Sequence, residues 1–517
     1  MVMLFLLLAV WGIPLAGWAT PPVTIHSFTG TGTDGSSPYA SLISANAGNK
    51  LYGMTTTGGA SHAGVLFSID LVNSNQYTAL HSFTGTGTDG KYPYDNVTHS
   101  FNGTKLYGMT TYGGASNKGV IFSIDLNNNN QYTALHSFTG ASNDGSYPNG
   151  SLVLSLDSTK LYGMTTYGGA SNKGVVFSID LSNSNQYAAL YSFTGVDGAY
   201  PFGSPILSLD GTTLFGMTTY GGTGNKGAIF SIDLNNSNQF ANLHSFAATS
   251  SEGANPYGSP IFSVDGAKIY GMTTYGGASN KGVVFSIFRN GNQYSVLHSF
   301  TGTGTDGATP EDSLTLSLDG STLYGMTVKG GSSNYGTLFS IDLVNSNQYT
   351  TEYSFTKTGT DGAYPYGSLV LSGNLTTFYG TTSAGGGASN LGEVFSFPVP
   401  ATIPLPTPTP STACTATLAY NLALHVPYIT YQTLALSADF SYEFKPGEVA
   451  FKYVDSNVLS HPSFSCAPST LSSSLLLQIP DVLLPGGVTH VWADLAYNTA
   501  YSTGGNIVFV LTDYGTK

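Results

Sequence analysis

Three carboxylates interrupt an otherwise repeated segment. Most copies of the segment read Tyr/Phe-Gly-Ser or similar, but one reads Tyr94-Asp95-Asn96 and another Glu311-Asp312-Ser313. Carboxylates that face each other across a funnel can serve as acid and base in hydrolysis, or bind a metal. Drift in an exposed turn is the other explanation. A second group pairs an aromatic ring with an ammonium in four successive repeats: Tyr112 with Lys118, Tyr167 with Lys173, Tyr220 with Lys226 and Tyr275 with Lys281. The other repeats lack the pair, carrying Thr57 with Ala63, Lys329 with Tyr335, and Ala384 or Gly385 with Leu391. An arc of tyrosine faces, amides and ammonium groups suits a glycan or an anionic polymer through stacking and hydrogen bonding. Duplication of neighbouring repeats, with lysine placed for solubility, leaves the same pattern.

Other reactive residues are too regular to be catalytic. Asp-Gly-x-x-Pro recurs at Asp34, Asp89, Asp144, Asp197, Asp306 and Asp361, with Glu252 in the corresponding place of the fifth repeat. Asp-Gly is a turn dipeptide, and one carboxylate per repeat is too few for a divalent cation. His81, His136, His244 and His298 recur in a segment predicted to be outermost, so they read as framework. No nucleophile elbow, HExxH, P-loop or dinucleotide fingerprint is present, and neither a metal nor a cofactor is expected.

The elements that position these residues come from an internal repeat. Phenylalanines fall at Phe28, Phe83, Phe138, Phe193, Phe246, Phe300 and Phe355, and Tyr/Phe-Gly steps at Gly53, Gly108, Gly163, Gly216, Gly271, Gly325 and Gly380. A period near 54 with four strand-like runs predicts propeller blades. In the third repeat the runs are 151–156, 160–166, 175–179 and 186–193. Val23 to Phe28 is a fourth-type strand with no blade before it, and the last repeat stops at its third strand, Glu393-Val394-Phe395. Pairing the two closes a seven-bladed all-β ring and removes its open edges. Alternating strand direction then places the loop entering the first strand and the loop between the second and third on one face.

Composition agrees. Only 8% of the 517 residues are charged while 65 are glycine, against about 25% charged in an ordinary soluble domain. Disordered chains, coiled coils and collagen are excluded. The net charge of −13 disfavours nucleic acid. Of the 21 acids between Val23 and Phe397, sixteen occupy repeated turn positions, which leaves Asp95, Glu311, Asp312, Glu352 and Glu393.

Residues 1–19 are apolar and end in Gly17-Trp18-Ala19, as a secretory signal does, and no later run is long enough to span a membrane. The expected plan is a signal at 1–19, a propeller at 20–397, a Pro/Thr spacer at 398–413 and a small β-sandwich at 414–517. Cys414 and Cys466, the only cysteines, are expected to form one disulfide in a secreted chain.

The repeat, written from the third unit as Phe138-Thr139-Gly140, Asp144-Gly145, Pro148, Leu161-Tyr162-Gly163-Met164-Thr165-Thr166, Gly168-Gly169, Gly174-Val175-Val176-Phe177, resembles the GloVer tandem repeat. That family comprises bacterial secreted or surface proteins with a YGTT…GG…GTVF core and a variable C-terminal anchoring device. The resemblance covers residues 23 to 397. Six repeats depart from it by Met after Tyr-Gly, and only Gly380-Thr381-Thr382 keeps the family form. It implies a propeller-like fold and an extracellular setting without an assigned activity.

The expectation is a secreted or cell-surface, non-enzymatic propeller that binds a glycan or surface protein, with a C-terminal attachment or assembly domain. An extracellular polysaccharide hydrolase or lyase using Asp95, Glu311 and Asp312, and a structural surface-layer or filament subunit, are the alternatives.

Overall fold

The computed structural model describes residues 21–400, apart from 46–48, 248, 250–251, 318 and 374–375, together with the backbone of eight strands between Ala416 and Thr516. The expected leader, most of the spacer and both cysteines lie outside the described residues. No helix among the described residues is long and apolar enough to cross a membrane.

Residues 23–398 form seven four-stranded antiparallel sheets. In the third blade the strands are Val153–Leu154, Lys160–Thr165, Val175–Asp180 and Gln186–Ser192, paired in sequence order. The second and third strands are buried on both faces because each blade is packed between two others, so their sequences read as continuous rather than alternating apolar runs. The innermost strand is shorter than the sequence suggests, two residues instead of six. The ring is shut by Val23–Ser27, which pairs antiparallel with Glu393–Pro398 of the seventh blade, Val23 opposite Ser396 and Ser27 opposite Glu393.

The repeated residues are explained by packing. Gly163 lies opposite Phe177, and a Cβ on the glycine would stand 2.5 Å from that ring's Cζ. The Tyr-Gly step therefore makes room for the phenylalanine of the third strand. The phenylalanine that ends each fourth strand is fully buried and meets the third-strand phenylalanine of the next blade edge-on, as Phe83 meets Phe122 at 5.2 Å and Phe138 meets Phe177 at 5.4 Å. Each apolar cluster thus spans two neighbouring blades, and blade adhesion and core formation are one event.

The recurrent histidines clasp the same joints. His81 stacks on Tyr132 of the next blade at 4.5 Å, and its Nε2 lies 3.1 Å from Asp89 Oδ1. Asp89 also accepts from the Thr84 amide, the Thr84 hydroxyl and the Gly90 amide, each at 2.8 Å. Asp34, Asp144 and Asp306 repeat this arrangement with His26, His136 and His298. Burial pushes the Asp89 carboxyl up, but the hydrogen bonds from His81 and Thr84 outweigh it and hold the group below its ordinary value. A depressed folded value stabilises the protein above the unfolded value, about pH 4, and the benefit is lost as pH falls through the folded one. Asp89→Asn is expected to cost about 1–2 kcal/mol at pH 6 and progressively less toward pH 3. Urea midpoints at the two pH values check this; a deficit that does not shrink in acid would contradict the ionic account.

In the C-terminal segment the strands Leu424–Tyr431, Leu434–Lys445 and Glu448–Val458 form a meander. With five others they pair as one eight-stranded sheet. The side-chain core expected of a β-sandwich lies outside the described residues.

Candidate functional site: the axial funnel

The two patterned loops do meet on one face. Asp-Gly of the entry loop and the residues after Thr-Thr form a two-stranded ladder in six blades, as Gly90 opposite Gly113 and Gly145 opposite Gly168, and a single bridge from Ala199 to Tyr220 in the fourth. The residue before each entry proline is left-handed in all seven blades, for example Tyr92, Tyr147 and Tyr200 at φ 54°, 55° and 55°. Such a conformation costs a non-glycine residue of order 1–3 kcal/mol and persists only when over-determined. The Tyr147 amide donates to the carbonyl of Lys118 at 2.7 Å, and the Tyr147 carbonyl accepts from the Thr166 amide. The proline is gripped as well, its carbonyl accepting a threonine hydroxyl of the preceding blade, as Thr111 to Pro148 at 2.7 Å. This turn sends the following three residues of each blade to the axis.

Those residues form three stacked rings. The upper ring is Tyr39, Tyr94, Asn149, Phe202, Tyr257, Glu311 and Tyr366, which line a cavity of about 640 Å³. Tyr366, Tyr39 and Tyr94 make a continuous wall over blades seven, one and two, with centroids 4.6 and 5.9 Å apart. Phe202 and Tyr257, stacked at 4.8 Å, make the wall over blades four and five. Asn149 and Glu311 occupy the two gaps. The funnel is therefore a slot with aromatic sides and polar ends.

The middle ring is glycine except at Ala40, Asp95 and Asp312. A Cβ at Gly203 would stand 2.5 Å from the Gly258 carbonyl oxygen, so small residues let the blades converge. The lower ring is six serines and Asn96. Six of its seven amides donate to the hydroxyl of the next blade, from Asn96 to Ser151, Ser151 to Ser204, Ser204 to Ser259, Ser259 to Ser313, Ser313 to Ser368 and Ser368 to Ser41, at 2.7–3.2 Å. The serine hydroxyls still have a proton to give. Ser204 donates to Asp95 at 3.2 Å and Ser41 to Asp312 at 2.9 Å. Each of these contacts joins blades two apart in the ring, which places both carboxylates over the axis. They also cap their own following amides, Asn96 at 2.8 Å and Ser313 at 2.7 Å. Burial raises both carboxyls above the ordinary range, and the charge of Asp95 raises Asp312 further.

Asp95, Glu311 and Asp312 thus line one cavity with Tyr112 and Tyr167. They lie in a funnel rather than in an exposed turn, on the segment before the first strand. Tyr220 and Tyr275, 38% and 44% exposed, are absent from its lining. The lysines do not act together either. Lys118 donates to the Tyr147 hydroxyl and Lys173 to that of Tyr200, each at 2.6 Å and above the ring face. Lys226 and Lys281 face Asn255 and Thr309 in the corresponding places, each carbonyl accepting that residue's amide. Sequence reading overlooked Tyr39, Tyr147, Phe202, Tyr257 and Tyr366. Their signal was an aromatic recurring directly after, or directly before, the entry proline. No group of three or more metal-ligating side chains is assembled among the described residues.

A family model described as the Gloeobacter/Verrucomicrobia repeat matches residues 18–225 and again 207–395. No curated protein matches the chain. Among solved structures, the periplasmic gluconolactonase PpgL of Pseudomonas aeruginosa is 15% identical with a TM-score of 0.42, over 63% of this chain and 86% of its own. TolB from Acinetobacter baumannii is 14% identical with a TM-score of 0.35, over 68% of this chain and 80% of its own.

Proposed function

The chain belongs to the Gloeobacter/Verrucomicrobia repeat family, and from its repeated blade we propose a secreted, non-enzymatic propeller that holds a carbohydrate in its axial funnel. The observation that carries this reading is the slot itself. Aromatic walls from five blades face each other across a cavity of about 640 Å³, within the usual range of ligand sites. Tyr94 is 40% exposed, an open ring face on which the C–H face of a sugar can stack, while Asn149 and Glu311 stand where its hydroxyls would be. The apolar leader supports secretion. The C-terminal strands are assigned attachment or assembly.

A glycan-array screen followed by titration calorimetry tests the site. Tyr94→Ala and Tyr257→Ala are each expected to weaken the ligand found by about tenfold or more, at unchanged melting temperature. Tyr275→Ala, outside the slot, is expected to leave affinity unchanged. Equal affinities in all three variants would remove the funnel from the reading.

The hydrolytic alternative rests on Asp95 and Asp312, a pair in which burial, and after it the charge of Asp95, raises the Asp312 carboxyl. Their hydroxyl and amide partners already fix both groups at the floor, which supports binding over turnover. Reducing ends released from a polysaccharide by the protein, and lost in Asp95→Asn, would favour catalysis instead.

A further inference from the structure

The charge of the funnel is one-sided. Among its lining residues Asp95, Glu311 and Asp312 are acidic and none is Lys or Arg. Lys118 and Lys173 of the neighbouring loops are engaged by tyrosine hydroxyls. Asp95 and Asp312 are satisfied from below by serine hydroxyls and amides. Glu311 differs: no hydrogen bond to its carboxylate is made among the described residues. It stands at one end of the slot between the two walls, close enough that its charge acts on the hydroxyls of Tyr257 and Tyr366. Burial raises its carboxyl, and the charge of Lys329 on the adjoining loop opposes that rise without a hydrogen bond.

An unpartnered carboxylate between two tyrosine rings, above two further acids, is the arrangement that takes an ammonium group. The ring faces attract a cation through their quadrupoles, and the enclosing low-dielectric walls strengthen the carboxylates' field. A neutral sugar offers Glu311 hydroxyl hydrogen bonds but leaves its charge uncompensated, whereas an ammonium supplies the counter-charge as well.

We propose that the funnel selects a sugar bearing a free, protonated amino group, with that group seated at Glu311 between Tyr257 and Tyr366. This rests on the reading of the funnel as a carbohydrate site and specifies the class of its ligand.

The test is calorimetric titration of the full chain at pH 6.5 with three probes: a β-1,4-linked glucosamine tetramer, its fully N-acetylated counterpart, and tetramethylammonium. The glucosamine tetramer is expected to bind at least about tenfold more tightly than the acetylated one, a difference set by one ion pair and its cation–π contacts. Glu311→Gln is expected to abolish that preference while retaining the acetylated tetramer's affinity. Equal binding of the two tetramers by the wild type, or a preference that survives in Glu311→Gln, overturns the amine assignment and leaves the carbohydrate reading standing. Binding of tetramethylammonium without either sugar overturns both, since the site would then recognise an ammonium but no saccharide. Binding of none of the three overturns the amine assignment, and the array screen then decides the carbohydrate reading separately.

Discussion

Asp312→Asn is expected to be more stable than the wild type at pH 8, by about 2–4 kcal/mol, and close to it at pH 4. Two carboxylates that meet over the propeller axis cannot both ionise at ordinary cost. Burial disfavours the charge on each, and the charge of Asp95 raises Asp312 again. The sign follows from linkage. A carboxyl whose folded value lies above its unfolded one binds its proton more tightly in the folded state, so its contribution is most favourable below the unfolded value, about pH 4, and is lost as pH rises toward the folded value. The groups facing Asp312 are Asp95 across the axis, the hydroxyls of Ser41 and Ser368, and the Ser313 amide. An asparagine keeps its one oxygen for the Ser313 amide, turns its NH2 toward Ser41, whose hydroxyl then accepts, and removes the repulsion. Thermal unfolding of both proteins from pH 4 to 8 checks this. A variant less stable than the wild type at pH 8 would mean that the pair is held together by something other than its serines. The His-Asp clasps act in the opposite direction below pH 4, so the wild-type profile should peak in mildly acidic solution.

The same contrast explains what the sequence could reveal. The ring was legible because its determinants are local and repeated: Gly163 opposite Phe177 and Phe138 against Phe177 recur at fixed intervals. Closure was legible from one orphaned strand and one missing one. The funnel was only partly legible. Asp95 and Asp312 are 217 positions apart, and their meeting follows from blade order and from the glycines that let blades converge, neither of which spacing alone expresses. The ammonium groups of Lys118 and Lys173 could not be aimed from sequence, since each is captured by a tyrosine of the next blade, 29 and 27 positions on. The aromatic walls went unnoticed for a different reason. A tyrosine after a turn proline looks like part of the repeat, and its place in a wall appears only when the seven blades are viewed down one axis.

Glu393→Val is expected to stabilise the protein at every pH, by about 1 kcal/mol at pH 5 and by about 4 kcal/mol at pH 9. Glu393 begins the third strand of the seventh blade, where the other blades carry Val65, Val120, Val175, Ala228, Val283 and Thr337. It is 1% exposed, and its Oε2 has no hydrogen-bond partner. Burial, with a further push from the charge of Asp361, raises its carboxyl to about 8 against the hydrogen bonds from Thr24 and the Gly362 amide. The raised value means that the cost of the side chain grows from about pH 4.5 upward and is complete above pH 8. Valine removes both the charge and the unpaired oxygen and restores the residue that fits the other joints. Thr24 is not orphaned, because its single hydroxyl proton has the Thr360 carbonyl as acceptor at 3.2 Å. The position matters because Glu393 lies opposite Ser27 in the one ladder that shuts the ring. Ionisation there is expected to loosen the N-terminal strand first. Calorimetry at pH 5 and 9 measures the two gains, and proteolysis at the 21–28 segment, faster in the wild type than in Glu393→Val at pH 9, locates the opening. A wild type whose melting temperature is flat from pH 5 to 9 would show that this carboxyl does not govern closure. If Glu393→Val gains stability at pH 9 and slows cleavage at the 21–28 segment, a seven-bladed ring joined by one non-covalent strand has its weakest seam at the single blade whose third strand opens with a charge.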